Sequence, residues 1–247
     1  MILNILIIGA SSTIAEAVAR RYAIQGARIF LVARNLQRIQ NIATDLLVRG
    51  ASEAKTFEMD AHNVSLIPHM LDAAWKAYGT IDVALIAQGT LPDQQRSEHD
   101  IEYAAMEFRT NAESVITCMA GVAQRFDQQG KGVIAVIGSV AGDRGRASNY
   151  LYGAAKAAIE SYASGVRAKL FRRKVHVLIV KPGFVATAMT ANLNLPALLT
   201  ASAERVALDI QRAIDIRKNI LYTPWFWIYI MLIIRWLPEP MFKRLKL

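Results

Sequence analysis

The chain is 247 residues long, enough for one large domain or two small ones. Its residues are 53% apolar and 20% charged, which excludes a disordered or low-complexity protein, and 14 Gly with 7 Pro exclude a collagen-like or linker-rich one. A formal net charge of +9 favours an anionic partner: phosphate, nucleic acid or an acidic membrane surface. The single cysteine, Cys118, rules out an intrachain disulfide and a thiolate zinc cluster, and reads as a small buried hydrophobe in a reduced compartment.

The first apolar run, Met1 to Gly9, has no basic leader and no small-residue cleavage site, so it is expected to be a strand and not a secretory signal. Similar short runs stand at Ile29–Val32, Val83–Ile86, Val133–Ile137 and Val175–Val180, with a less regular one at Lys55–Met59. Between them lie helical periodicities at Ile14–Ile24, Ile39–Val48, Leu66–Ala77, Tyr103–Phe126 and Ala154–Phe171. Short strands alternating with longer helices make βαβ units, whose right-handed crossovers demand a parallel sheet. The expected fold is therefore α/β, a single doubly wound parallel sheet of about seven strands with helices on both faces.

The alternation runs to about residue 222, and the composition then changes. A core catalytic domain is expected over 1–218 and an aromatic, basic segment over 219–247. Within that segment Leu221–Ile234 is 14 residues without a charge, flanked by Arg217, Lys218, Arg235, Lys243, Arg244 and Lys246. That falls short of the roughly 20 residues of a spanning helix. Trp225, Trp227, Tyr229 and Trp236 beside cationic ends suit a last strand followed by a helix in the headgroup region of an anionic bilayer. The competing reading is a segment that completes the core or a dimer interface.

Three places carry chemistry. The turn Gly9-Ala10-Ser11-Ser12-Thr13-Ile14-Ala15 joins the first strand to the first helix, where backbone N–H groups and the helix dipole favour a phosphate. Of the three glycines of a dinucleotide fingerprint only Gly9 stands, so an ordinary strand-to-helix turn fits equally well. The second strand ends at Arg34, where an acidic residue would accept from a ribose hydroxyl; a guanidinium there binds a 2′-phosphate instead, favouring NADP(H) over NAD(H), unless it is a solvated loop residue. Finally, Ser139 follows the strand Val133–Ile137, and Tyr152 with Lys156 share one helix face at i, i+4. An ammonium beside a phenol is expected to draw its pKa down, and the serine hydroxyl can donate to a carbonyl oxygen.

With these residues the chain resembles the short-chain dehydrogenases/reductases of the single-domain branch over nearly its whole length. The resemblance implies catalytic roles for Asn111, Ser139, Tyr152 and Lys156. Tyr152 would be the acid–base, Lys156 its partner and ribose ligand, and Asn111 the holder of a proton-relay water. It implies cofactor contacts at Gly9, Ser11, Ser12, Thr13, Ile14, Arg34, Asp60, Ala87, Gly89, Tyr152, Lys156, Pro182, Gly183, Val185 and Thr187. Two departures stand out: the degenerate glycine turn, and Ile86-Ala87-Gln88-Gly89 in place of the family's Asn-Asn-Ala-Gly. The stretch from Ser139 to Tyr152 and the aromatic, basic end are similar to bacterial decaprenylphosphoryl-2-keto-ribose 2-reductases. These implications give an NADPH-dependent reductase of a small or lipid-linked carbonyl compound, a homodimer or homotetramer, cytoplasmic or peripheral on the cytoplasmic membrane face. Arg144 and Arg146, in the loop between Ser139 and Tyr152, are expected to read an anionic substrate group or else to be solvated. The alternative from another class is a non-catalytic NADP(H)-binding sensor or scaffold. Nucleic acid is not expected, because no recognition motif appears, and neither is a metal, because His62, His69, His99 and His176 lack ligand spacing.

Overall fold

The computed structural model describes residues 2–191 and 193–245. Lys246, counted among the cationic flanks above, lies outside the described residues. In chain order the elements begin β1 (Asn4–Ile8), α1 (Thr13–Ile24), β2 (Arg28–Ala33), α2 (Leu36–Val48), β3 (Glu53–Glu58), α3 (Leu66–Tyr78) and β4 (Val83–Ile86). Next come α4 (Gln94–His99), α5 (Ile101–Phe108), α6 (Ser114–Gln129), β5 (Gly132–Ile137), α7 (Tyr150–Leu170) and β6 (Val175–Pro182). The chain ends with β7 (Phe184–Ala186), β8 (Thr200–Ser202), α8 (Ala203–Asp215), β9 (Ile220–Thr223), α9 (Trp227–Trp236) and α10 (Glu239–Phe242).

The main sheet is seven-stranded and parallel, in the order β3-β2-β1-β4-β5-β6-β9, and β7 pairs with β8 in a small parallel ribbon. Side chains alternate across a strand. On β1, Ile5 and Ile7 therefore enter a core shared with Val18 and Tyr22 of α1, Leu46 of α2 and Ile210 of α8. Leu6 and Ile8 enter the opposite core, with Met70 of α3, Val122 and Phe126 of α6 and Ile159 of α7. Two apolar faces explain why the central strands read as unbroken apolar runs, each large side chain contributing about 1.5–3 kcal/mol of burial. The edge strand β3 is only partly covered, which accounts for its irregular sequence.

Two expected elements are redrawn. The helix expected over Tyr103–Phe126 is interrupted by a π turn at Arg109–Glu113, which widens the backbone where Asn111 is buried. Apolar spacing carries no trace of the one extra residue. The apolar stretch Leu221–Ile234 is divided between β9, hydrogen-bonded to β6 inside the sheet, and α9. The inner face of α9, Trp227, Met231 and Ile234, is buried against Val140 and Phe184. Its other face leaves Ile228, Tyr229, Leu232, Ile233 and Trp236 exposed, with Trp225 just before it. Among the described residues no helix is long and apolar enough to cross a membrane.

Arg144 also differs from expectation. Its Nη1 donates to the carbonyls of Ile234 and Leu237, each at 2.6 Å, and its Nη2 pairs with Glu239 at 2.8 Å. The guanidinium lies 3.6 Å from the Phe242 ring centroid. The orphan carbonyls at the end of α9 attract a cation, so Arg144 caps that helix instead of facing a substrate.

Candidate active site

All strands of the main sheet end on one edge, and a cavity of about 390 Å³ opens along it. Gly9 begins its inner end. Its φ is +82°, and a Cβ there would stand 2.4 Å from the backbone nitrogen of Gln88, so only glycine lets the first turn lie against the end of β4. The N–H groups of Gly9 and Ala10 both donate to Val32 O. Ser12, the N-cap of α1, makes no side-chain cap bond, and Ser11, Ser12, Thr13 and Ile14 line the cavity. The N-terminus of a twelve-residue helix thus faces the cavity without a side chain of its own to cap it. Arg34, at the end of β2, lines the same region together with Arg38, which the sequence reading missed. Its signal was available: Arg38 lies one helical turn beyond Arg34. Asp60 also lines the cavity, its carboxylate accepting from the His62 N–H at 3.0 Å.

Further along the edge, Ala87 and Gly89 follow β4 and line the cavity. A Cβ on Gly89 would lie 2.9 Å from Asn111 Oδ1 and 3.5 Å from Lys156 Nζ, so this glycine lets both side chains close on it. Asn111 does not line the cavity. It sits behind it, 1% exposed, accepting from Thr90 N–H at 3.0 Å and donating to Thr90 Oγ1 at 2.9 Å and Glu107 O at 3.0 Å. Gln88, at the alanine of the family's Asn-Asn-Ala-Gly, donates to Ser114 O at 3.2 Å and braces the turn on α6.

Ser139 leaves β5 in extended conformation, its Oγ accepting from Ala141 N–H at 3.1 Å. The N-terminal turn of α7 brings Tyr152 and Lys156 to the same wall. Lys156 donates to Ile137 O at 3.2 Å, and its Nζ lies 5.4 Å from the Tyr152 ring centroid. Burial lowers the Lys156 ammonium to about 8, opposed by the charge of Glu160. Burial pushes the Tyr152 phenol up to about 12, opposed by the Ser139 hydroxyl. That direction is opposite to the sequence expectation. The penalty of burying a phenolate outweighs an ammonium that sits beside the ring and bonds to a carbonyl.

The far wall is Pro182, the last residue of β6, with Gly183, Val185 and Thr187 beyond it. Gly183 N–H donates to Thr223 O at 3.0 Å, and a Cβ on Gly183 would overlap the Trp227 indole, 1.9 Å from Nε1. Thr190 closes this loop by donating to Val185 O at 2.6 Å. Arg146 lines the cavity while Arg144 does not; among the described residues the Arg146 Nε is buried without a partner, and burial lowers the guanidinium pKa. Asn149, also missed by sequence reading, lines it too. Cys118 is buried, its thiol raised to about 11 by burial. Among the described residues no cluster of His, Cys, Asp or Glu could hold a metal.

The short chain dehydrogenase family model matches residues 3–197, and the chain belongs to that family. It is therefore an oxidoreductase of a class that works with a nicotinamide cofactor. Among its relatives, an uncharacterised oxidoreductase of Mycobacterium tuberculosis strain H37Rv is 34% identical over 241 residues, covering 98% of this chain and 96% of that protein. One from Streptomyces coelicolor is 31% identical over 248 residues, covering 98% and 95%. A short-chain dehydrogenase/reductase from Mycobacterium marinum superposes with a TM-score of 0.81 at 22% identity, covering 89% of this chain and 93% of its own. An alcohol dehydrogenase from Thermococcus sibiricus, solved with 5-hydroxy-NADP, gives 0.79 at 21%, covering 89% and 95%. These two likenesses concern the fold.

A dinucleotide fits the residues present. The open turn at Gly9, the uncapped start of α1 and the two arginines supply an anion-binding end, and Ser139, Tyr152 and Lys156 stand at the other. Gly9→Ala tests the turn. A left-handed non-glycine residue costs about 1–2 kcal/mol before any clash. The variant should lose at least about 2–4 °C of Tm by calorimetry. It should also weaken NADPH binding in a fluorescence titration.

Proposed function

We propose that this protein is an NADPH-dependent carbonyl reductase in which Tyr152 is the proton donor. The observation that carries the reading is one cavity wall bearing Ser139, Tyr152 and Lys156, with the half-buried phenol held in its protonated form by desolvation. Bound NADPH supplies the hydride. Ser139 Oγ donates to the substrate oxygen and polarises it, and Tyr152 passes its proton to that oxygen as charge develops. Lys156 stabilises the phenolate left behind. Asn111, on the π turn behind Gly89, positions the neighbourhood of Lys156 for reprotonation. A pure NADP(H)-binding sensor would need neither Ser139 nor Tyr152 at this wall. Tyr152→Phe keeps the ring and removes the proton. It should lower kcat by about 10²–10⁴-fold with NADPH affinity nearly unchanged. Activity within a factor of ten of the parent enzyme would take Tyr152 out of the reaction.

The preference for NADP(H) rests on Arg34 with Arg38, both exposed at the anion-binding end of the cavity. The 5-hydroxy-NADP held by the Thermococcus sibiricus enzyme is in keeping with it. Arg34→Ala and Arg38→Ala should each weaken NADPH by about tenfold or more, the range of a charge-assisted hydrogen bond, and NADH much less. Equal losses for both cofactors would remove the 2′-phosphate from these side chains.

The substrate we propose is a lipophilic or lipid-linked ketone, a keto-sugar on a polyprenyl phosphate being the case suggested by resemblance, reached from the cytoplasmic face of an anionic membrane. The exposed apolar face of α9, with Trp225 and Trp236 at its ends and Arg217, Lys218, Arg235, Lys243 and Arg244 around it, supports this. Each such cation adds about 1 kcal/mol near an anionic surface. The intact protein should co-sediment with phosphatidylglycerol-containing vesicles at low salt and not with neutral ones. A double Trp225→Ser/Trp236→Ser variant should stay in solution. A folded protein indifferent to anionic vesicles would return this face to an interface between copies.

A further inference from the structure

Lys156 is a buried cation with a thin set of direct partners. It is 3% exposed, and its hydrogen bond goes to the Ile137 carbonyl, not to an anion. An ammonium in that position needs counter-charge, or it sheds its proton. Glu160 stands one helical turn further along α7, at the i, i+4 spacing that puts two side chains on one face.

The surroundings of Glu160 are shaped to hold a carboxylate. Its Oε2 pairs with Lys181 Nζ at 2.6 Å, and Lys181 also pairs with Asp143, which accepts from Tyr222 OH at 2.9 Å. Among the described residues its Oε1 is buried without a partner, and a Cβ on Gly142 would come within 2.6 Å of it. A Cβ on Gly138 would come within 3.5 Å. These two glycines flank Ser139, so the catalytic serine loop rests on this carboxylate. Lys156 and Lys181 are balanced by Glu160 and Asp143. Removing Glu160 leaves two buried cations against one anion.

We propose that Glu160 is a positioning residue that keeps Lys156 in its ammonium form and so sets the alkaline limit of activity. The inference rests on the reading of Tyr152 and Lys156 as the proton-transfer pair. The other groups around Lys156 and Glu160 are Tyr152 on α7, Ser139 and Asp143 after β5, Lys181 on β6 and Tyr222 on β9. Arg235 of α9 acts on Glu160, and Glu107 of α5 stands behind Gly89 with Asn111, whose Nδ2 donates to its carboxylate at 3.3 Å. None of these besides Glu160 is an anion on the same helix face as Lys156.

The sign follows from charge. Lys156 is protonated below its pKa, and the negative charge of Glu160 raises that pKa, so Glu160→Gln moves it down. The alkaline limb of the kcat–pH profile for ketone reduction should move to lower pH by about one unit, the order of the effect of one nearby opposite charge. At the pH of the original midpoint this is a several-fold loss. Glu160→Asp keeps the charge and should fall between the parent and Glu160→Gln. The second readout needs no substrate: the ¹³Cε resonance of Lys156 in ¹³C-lysine-labelled protein, assigned by its absence from Lys156→Arg, titrated in each variant. It should move in the same order. If Glu160→Gln does not fold, the same titration in Glu160→Asp, displaced by a smaller amount, decides. A uniform loss of kcat with limb and resonance unmoved, or a resonance indifferent to both variants, would overturn the proposal. If the parent protein reduces no ketone, the reading of function falls, and the Lys156 titration still decides this one.

Discussion

Because the strands of the main sheet run parallel, their carboxyl ends lie along one edge, and residues just beyond β1, β2, β4, β5 and β6 converge there although they are far apart in sequence. This constraint organises the molecule. It places the uncapped start of α1, the arginines after β2, Gly89, Ser139 and Pro182 around one cavity, and α7 lays Tyr152 and Lys156 against it. Helices must cover both faces of such a sheet, so the strand ends that carry these groups are held by two apolar cores.

The C-terminal segment belongs to this machinery. β9 pairs with β6 beside the loop at Pro182, and Thr223 O receives the Gly183 N–H. Trp227 packs so closely on Gly183 that no other residue fits there, and it meets Phe184 edge-on at 5.1 Å. Val140, next to Ser139, joins the same small core. Arg144 ties the serine loop to the end of α9. One face of α9 thus supports both loops that border the cavity while its other face is exposed.

Beneath the cavity lies a buried set of charges: Lys181, Asp143 and Glu160, with Lys156 one turn away. Removing charges from water is costly, and well-packed apolar residues are often as stable as buried ion pairs. The same burial that raises the Tyr152 phenol and lowers the Lys156 ammonium makes each remaining charge count for more than it would in water. Small changes in charge there move the protonation of Tyr152 and Lys156.

The amino-acid sequence by itself determined the layer architecture. Buried parallel strands leave unbroken apolar runs, Val83–Ile86 among them, and the runs alternate with helical periodicity. The i, i+4 spacing of Tyr152 and Lys156, the serine after a strand and the glycine of the first turn were legible for the same local reason. Tertiary structure decided the rest. The π turn at Asn111 hides within a continuous helical pattern. Arg144 and Arg146 are two residues apart in one loop, yet one caps α9 and the other lines the cavity, which depends on where a distant helix ends. Arg38 joins Arg34 only because α2 begins directly after β2. The direction of the Tyr152 pKa was set by depth of burial, a property of the whole packing that no spacing encodes, and it overrode the lysine that spacing had placed beside it.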